Sequence, residues 1–328
     1  MIMKIIIIQE AGRHKENAHM RECFSLQRAF DRHPDVEECM VWGNGHPTFR
    51  RQPKWNSFDI IINIENYSHG WMPDLSKTTH PTKFMWSIDA HCGMMSSHAK
   101  IYKQGNYDYM LQASSLWLTP HYNEGIEKSI WFPNAYDDTI FTLDENTVFE
   151  QKPTLLGFCG SKLDRDGLMQ KIAKKTSFTP DYWVLGKAMI DKVRSYKMHL
   201  NPNLSWDVNY RNFETMGLGT VILANNDYNV VDYRNLGFEH GINCLLWERK
   251  NIDGLLELIS EYSDPAKTDE LKSIGKSGHS LVSEYHTYYN RVNDIIALHQ
   301  GKSIADVYAE RPYESPDLEE VYARRNVK

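Results

Sequence analysis

The sequence predicts an α/β protein built as two Rossmann-like, doubly wound parallel-sheet domains facing each other across a cleft. Three observations predict it. Strand-like and helix-like segments alternate along nearly the whole chain, the order that parallel strands with helical crossovers require. Several of the strands are near-continuous apolar runs such as "KIIIIQ" and "TVILAN", as befits strands covered on both faces. At 328 residues the chain also exceeds what a single hydrophobic core ordinarily organises.

The first domain, residues 1–148, opens on the strand "KIIIIQ". The following "ENAHMRECFSLQRAFDRHP" places Met20, Cys23, Phe24 and Phe30 on one helical face and ends near Pro34. "VEECMVWG" is a second strand, and "FDIIINIEN" a third, reached through the loop "NGHPTFRRQPKWNS". "TKFMWSIDAH", "YDYMLQAS" and "SIWFPNA" complete the sheet. The polar stretch "DENTVFEQKPT" closes the domain just before Pro153 ends the linker.

The second domain, residues 149–300, begins with "TLLGFCGS", a strand running into a glycine turn, followed by the helix "RDGLMQKIAKK". "DYWVLG" and "MHLNPN" are strands separated by the helix "AMIDKVRSYK". After residues 209–226, "NYRNFETMGLGTVILANN", come the helix "NIDGLLELISEYS" and a loop "GFEHGINCLLW" ahead of it. One long helix, "SGHSLVSEYHTYYNRVNDIIALHQ", ends the domain, with Leu281, Tyr285, Tyr288, Val292, Ile295 and Ile296 at helical spacing. Residues 301–328 form a charged tail expected to pack back across the domains.

Composition narrows the function. A net charge of −6 excludes a polyanion binder acting through its whole surface, so any nucleic-acid contact must rest on a local patch. Five scattered cysteines without paired spacing read as reduced thiols, and a cytoplasmic protein is expected. "MKIIIIQE" turns polar too soon for a signal peptide, and no apolar run approaches the ~18 residues of a membrane span. The histidines near "DAHC" lack metal-ligand spacing, so no metal site is expected.

Residues 209–226 carry the strongest chemical signal. Asn209, Tyr210 and Arg211 fall where a helix starts, and the unpaired amides and positive dipole end there favour a diphosphate. Arg211 adds a fork of donors matched to phosphate oxygens, and Glu214, one turn on, can accept from sugar hydroxyls. Gly217 and Gly219 end the helix before the buried strand. The same residues also suit an ordinary amphipathic helix whose Arg and Glu face solvent.

This segment resembles the donor site of GT-B glycosyltransferases of the group-1, Glu-x7-Glu type. It is most similar to the CgeB-like branch, through the string Asn209, Arg211, Phe213 and Glu214. "WSIDAHC" resembles that branch's Asp-x-His segment at Asp89 and His91, and "FCGSKLDRDGL" its Gly-Ser turn followed by Arg, here Gly160, Ser161 and Arg165. The likeness runs from residue 1 to about 300. It departs at Trp206, where the first Glu of the pair would stand, with Asp207 beside it.

The resemblance implies a C-terminal domain that binds a nucleoside-diphosphate sugar, a UDP-sugar being the first expectation, with no metal cofactor. Gly160, Ser161, Lys162, Arg165, Asn209, Arg211 and Glu214 would be the donor-binding residues. It also implies an N-terminal domain that presents the acceptor. There Glu10, Asp89 and His91 follow strand ends and are the candidates to deprotonate an acceptor hydroxyl. Arg13 in "GRHKEN" and Arg50, Arg51 and Lys54 in "TFRRQPKW" are candidate acceptor contacts. The second loop interleaves bases with Phe49 and Trp55, a pattern that suits phosphates and an extruded base, so DNA with a hydroxymethylated base is one acceptor to weigh. A cell-surface or spore polysaccharide is another. A non-catalytic nucleotide-sugar module is the reading favoured only by Trp206.

Overall fold

The computed structural model describes residues 2–325 except 67, 91–93, 120–123, 163–165, 177, 204–206 and 227–228. It divides into two compact units, residues 1–134 with 288–328, and Ala135–Thr287.

The first unit contains β1 (Met3–Ile8), α1 (Glu22–Asp31), β2 (Val36–Trp42), β3 (Ile60–Ile64), β4 (Thr82–Ser87), α2 (Met95–Gly105), β5 (Tyr109–Gln112) and β6 (Ser129–Trp131). All six strands are parallel, in the order β2-β1-β3-β4-β5-β6. Ile5 to Ile8 and Ile60 to Ile62 are wholly buried, which explains why these strands read as unbroken apolar runs.

The second unit contains β7 (Thr154–Gly157), β8 (Cys159–Gly160), α3 (Asp166–Ala173), β9 (Asp181–Tyr182), α4 (Gly186–Arg194), β10 (Tyr196–Asn201), α5 (Tyr210–Gly217), β11 (Val221–Asn225), α6 (Val230–Asn235), β12 (Leu245–Trp247), α7 (Ile252–Glu261) and α8 (Thr268–Tyr285). Its main sheet runs β12-β11-β10-β7, again parallel, while β8 pairs with β9. Since β7 and β8 are separated only by Phe158, one extended segment pairs with β10 early in its length and with β9 later. Both units therefore place their first strand between the second and third. That is the switch point at which doubly wound sheets open a crevice at their carboxyl ends.

Three features differ from the sequence reading. The chain leaves the first unit after Asn134, ahead of the polar stretch taken as the linker, and returns at Tyr288 rather than continuing to residue 300. The expected single long helix is two, α8 and α9 (Tyr288–His299). At the break the His286 carbonyl accepts from the Tyr136 N–H at 3.1 Å, so it is drawn out of the helical ladder, while the apolar spacing continues on both sides. "GFEHGINCLLW" is not all loop, because it ends in β12.

The tail also has a definite place, within the first unit. After α9 come α10 (Ile304–Glu310), begun by a Ser303–Asp306 capping box, and α11 (Leu318–Arg325). This segment covers the edge strand β6: Tyr308 Oη accepts from the Trp131 N–H at 2.7 Å, and Arg311 Nη1 donates to the Trp131 carbonyl at 2.7 Å. Arg291, wholly buried, donates to the Pro133 and Asn134 carbonyls at 2.8 and 3.1 Å and to Tyr313 Oη at 3.2 Å. The Tyr313 ring centroid lies 5.4 Å from both the Arg291 and Arg311 guanidinium carbons, and Asp294 neutralises Arg311 at 2.7 Å.

Removing one buried guanidinium leaves its carbonyl acceptors unpaired. Arg291→Met is therefore expected to lower unfolding stability by about 3 kcal/mol. A urea midpoint equal to the parent's would show that the clamp holds nothing.

Candidate functional site

The switch point of the second unit holds a pocket of about 290 Å³ lined by Phe158, Cys159, Gly160, Ser161, Asn201, Asn209, Tyr210, Arg211 and Glu214. Five of the seven donor-site residues nominated from sequence converge there: Gly160, Ser161, Asn209, Arg211 and Glu214. Lys162 is not among the lining residues. It is exposed, with Nζ 5.8 Å from the Tyr182 ring centroid. Arg165 and Trp206 lie outside the described residues.

Helix α5 is built to start at this pocket. Asn209 is its N-cap, accepting the Arg211 N–H at 3.1 Å through Oδ1, which satisfies one orphan amide of the first turn. Arg211 Nη1 lies 3.0 Å from Glu214 Oε2, so the guanidinium is held along the helix rather than left to wander. The glycines after the helix have definite tasks. A Cβ on Gly217 would stand 2.5 Å from the Tyr136 ring, and Gly219 adopts φ +68, which allows the chain to turn at once into β11.

Beneath the cap lies a network that sequence reasoning did not anticipate. Asn201 Nδ2 donates to Asn209 Oδ1 at 3.0 Å. Asn203 donates through its backbone to Asn225 Oδ1 at 2.7 Å and through Nδ2 to Tyr233 Oη at 2.7 Å, and Tyr233 in turn donates to Asn212 Oδ1 at 2.9 Å. Asn212 Nδ2 reaches back to the Asn209 carbonyl at 3.1 Å. The available signal was a polar residue closing each apolar run, in "HLNPN" and "ILANN". Asp207 is buried, and its carbonyl accepts from Asn229 Nδ2 at 2.6 Å. Cys159, on the pocket wall, has its thiol pushed up to about 11 by burial.

In the first unit the strand ends gather a second polar group. Glu10 is buried beyond β1, its N–H donating to Asn66 Oδ1 at 2.7 Å. Asp89 follows β4, and its N–H and that of Ile88 both donate to Glu65 Oε2, at 2.6 and 2.8 Å. His98 on α2 is fully buried, 2.6 Å from Ser87 Oγ through Nδ1 and 3.8 Å from Glu65 Oε2 through Nε2. His91 lies outside the described residues. Glu65, Ser87 and His98 were not nominated from sequence; Glu65 could have been found as the carboxylate directly after the apolar run "DIIINI".

In the acceptor loops only the stacking expectation changes. Arg13, Arg50, Arg51 and Lys54 are exposed, but the aromatic rings beside them are not free for stacking on a base. Trp55 is buried, edge-on to Trp42 at 5.2 Å, and Phe49 packs on Trp42 at 4.9 Å and on Trp71 at 5.7 Å. These rings form the core under the loop. Among the described residues no group of three His, Cys, Asp or Glu is placed to hold a metal ion, and no helix is long and apolar enough to cross a membrane.

Comparison with known proteins bears on the fold and on the enzyme class. Residues 174–297 match the family model described as "Glycosyl transferase-like". Among solved structures the fold is similar to HepE of Anabaena, in complex with UDP-glucose, at TM-score 0.64 and 11% identity over 92% of this chain and 100% of that one. It is also similar to sucrose-phosphate synthase of Thermosynechococcus elongatus, at TM-score 0.62 and 10% identity over 90% and 98%. A glycosyltransferase of Rickettsia africae gives TM-score 0.61 and 12% identity over 92% and 100%. No curated protein matches the sequence. The fold is that of the two-domain GT-B glycosyltransferases, and the family model over residues 174–297 gives the enzyme class, a glycosyltransferase.

Burial, followed by the charge of Asp89, raises the Glu65 carboxyl to about 7 from its ordinary 4.5. The folded protein therefore keeps a proton that the unfolded chain releases. The associated stability is complete below about pH 4.5 and is lost as pH rises through about 7. Glu65→Gln should abolish this loss, which amounts to at most about 3 kcal/mol for the shift involved. Urea unfolding at pH 5 and pH 8 checks it, and parallel pH profiles for the two proteins would refute it.

Proposed function

We propose that the chain transfers a sugar from a nucleoside-diphosphate donor, a UDP-sugar first of all, to an acceptor hydroxyl. The carrying observation is the convergence of Gly160, Ser161, Asn209, Arg211 and Glu214 on one pocket at the start of α5. In this reading the helix dipole and Arg211 stabilise the charge that develops on the leaving β-phosphate, and Glu214 accepts from donor hydroxyls. The UDP-glucose complex of the Anabaena relative supports the choice of donor, and the Asn209–Glu214 string supports the CgeB-like branch. Among the described residues, four cysteines are free and buried, which supports a cytoplasmic setting.

Asp89 is our candidate base for the acceptor hydroxyl, with Glu10 beside a neighbouring strand end and His91 as the other sequence candidates. The two N–H bonds to Glu65 fix the Ile88–Asp89 backbone that carries Asp89. No metal is required if α5 and Arg211 carry the diphosphate charge. In a transfer assay with UDP-glucose, Arg211→Ala is expected to lower kcat/KM by about a hundredfold, as for loss of one preorganised donor, while EDTA leaves the parent active. Full activity in Arg211→Ala, or a metal-reversible loss with EDTA, would remove this cradle.

For the acceptor, the exposed Arg50, Arg51 and Lys54 support DNA, whereas the buried Trp55 gives no stacking surface and favours a carbohydrate hydroxyl. If DNA is bound, replacing all three by Ala should flatten the log–log salt dependence of duplex affinity by about 0.9 per lost phosphate contact. A parent protein with no salt-dependent DNA affinity leaves the carbohydrate acceptor.

A further inference from the structure

Trp183 stands at the tip of β9 in a backbone conformation that tryptophan rarely adopts. Its φ is +58, in the left-handed region, where a bulky side chain is strained. Its surface is 53% exposed, unusual for the largest apolar side chain.

The location gives them a purpose. In the β8–β9 pair Gly160 stands opposite Tyr182, and the Trp183 N–H donates to the Gly160 carbonyl at 3.1 Å. Gly160 and Ser161 line the pocket at the start of α5, so Trp183 is hydrogen-bonded to the wall of that pocket. The strand beneath it is rigid: Tyr182 packs edge-on to Phe158 at 5.8 Å, and the Asp181 N–H donates to the Phe158 carbonyl at 2.8 Å. Beyond the turn, Gly186 at φ +59 starts α4, whose Met189 contacts the Arg211 guanidinium. The Trp183 turn thus joins two elements that both touch the pocket, one through Gly160 and the other through Arg211.

We propose that Trp183 is the stacking platform for the nucleobase of the donor, and so a specificity-determining residue. This rests on the donor-site reading above. An indole face gains from any base through stacking, and a preformed, strained turn holds it in place without ordering cost at the moment of binding.

Trp183→Asn keeps the backbone, because asparagine tolerates the left-handed region, and removes the ring. Trp183→Phe keeps a ring. Titrating UDP and inorganic pyrophosphate by calorimetry, we expect Trp183→Asn to weaken UDP about tenfold and leave pyrophosphate unchanged. Trp183→Phe should retain most of the UDP affinity, and Trp183→Asn should melt about 2 °C higher through relief of strain. Unchanged UDP affinity in Trp183→Asn overturns the proposal, and so does an equal loss for UDP and pyrophosphate, which would mark a damaged pocket. If Arg211→Ala weakens UDP while Trp183→Asn does not, only the Trp183 proposal falls. A parent protein that binds neither probe removes the donor-site reading as well.

Discussion

The buried amide network around Asn203 is the constraint on which the second unit's site depends. Strands β10 and β11 end in asparagines, and Asn203 ties the two ends together through Asn225 before reaching Tyr233 on α6 and, through it, Asn212 on α5. Each of these side chains is buried, so each would be costly without its partners. A satisfied network of this kind admits very few arrangements. It therefore fixes where α5 begins relative to the sheet, which simple apolar packing would leave free to slide. Asn209 and Arg211 inherit that precision.

A second tie works from the other end of the helix. His199 in β10 accepts the Cys159 N–H on Nε2 at 3.1 Å, so its proton resides on Nδ1, which faces Thr215 Oγ1 at 3.1 Å. One neutral imidazole thereby joins the β8 strand, whose residues wall the pocket, to α5, whose first turn opens on it. Its ring lies parallel to Phe158 at 6.3 Å and to Tyr196 at 6.0 Å between centroids.

Much of this fold was legible because burial writes itself into periodicity. The strands "KIIIIQ", "FDIIINIEN" and "TVILAN" announce themselves, and Asn209, Arg211 and Glu214 are readable since capping and dipole chemistry are local. What was not legible depends on distant pairing. Nothing near His286 says that its carbonyl will bond Tyr136, 150 residues earlier, so the break between α8 and α9 was invisible. The Asn203 network joins residues 203 to 233, and a lone asparagine at a strand end does not reveal its partner. Trp55 misled for the opposite reason: in sequence it borders lysines and arginines, yet its environment is set by Trp42 on the adjacent strand.

The two units share a strand order but furnish their crevices with different chemistry. In the second unit the network beneath α5 is made of neutral amides and a tyrosine hydroxyl, with Arg211 and Glu214 paired at the pocket. An amide can donate to an anion without adding negative charge near it, which in the proposed reading suits a diphosphate. In the first unit the same topological position holds Glu10, Glu65 and Asp89, and the proximity of Asp89 helps lift the Glu65 carboxyl to about 7. Clustered carboxylates would repel a diphosphate, and they make the proton affinity of one member rise toward neutrality. In the proposed reading that is a setting for proton transfer from a neutral hydroxyl rather than for phosphate binding. In the proposed reading, donor and acceptor are thus divided between the two units by side-chain charge, on one shared order of the first strands.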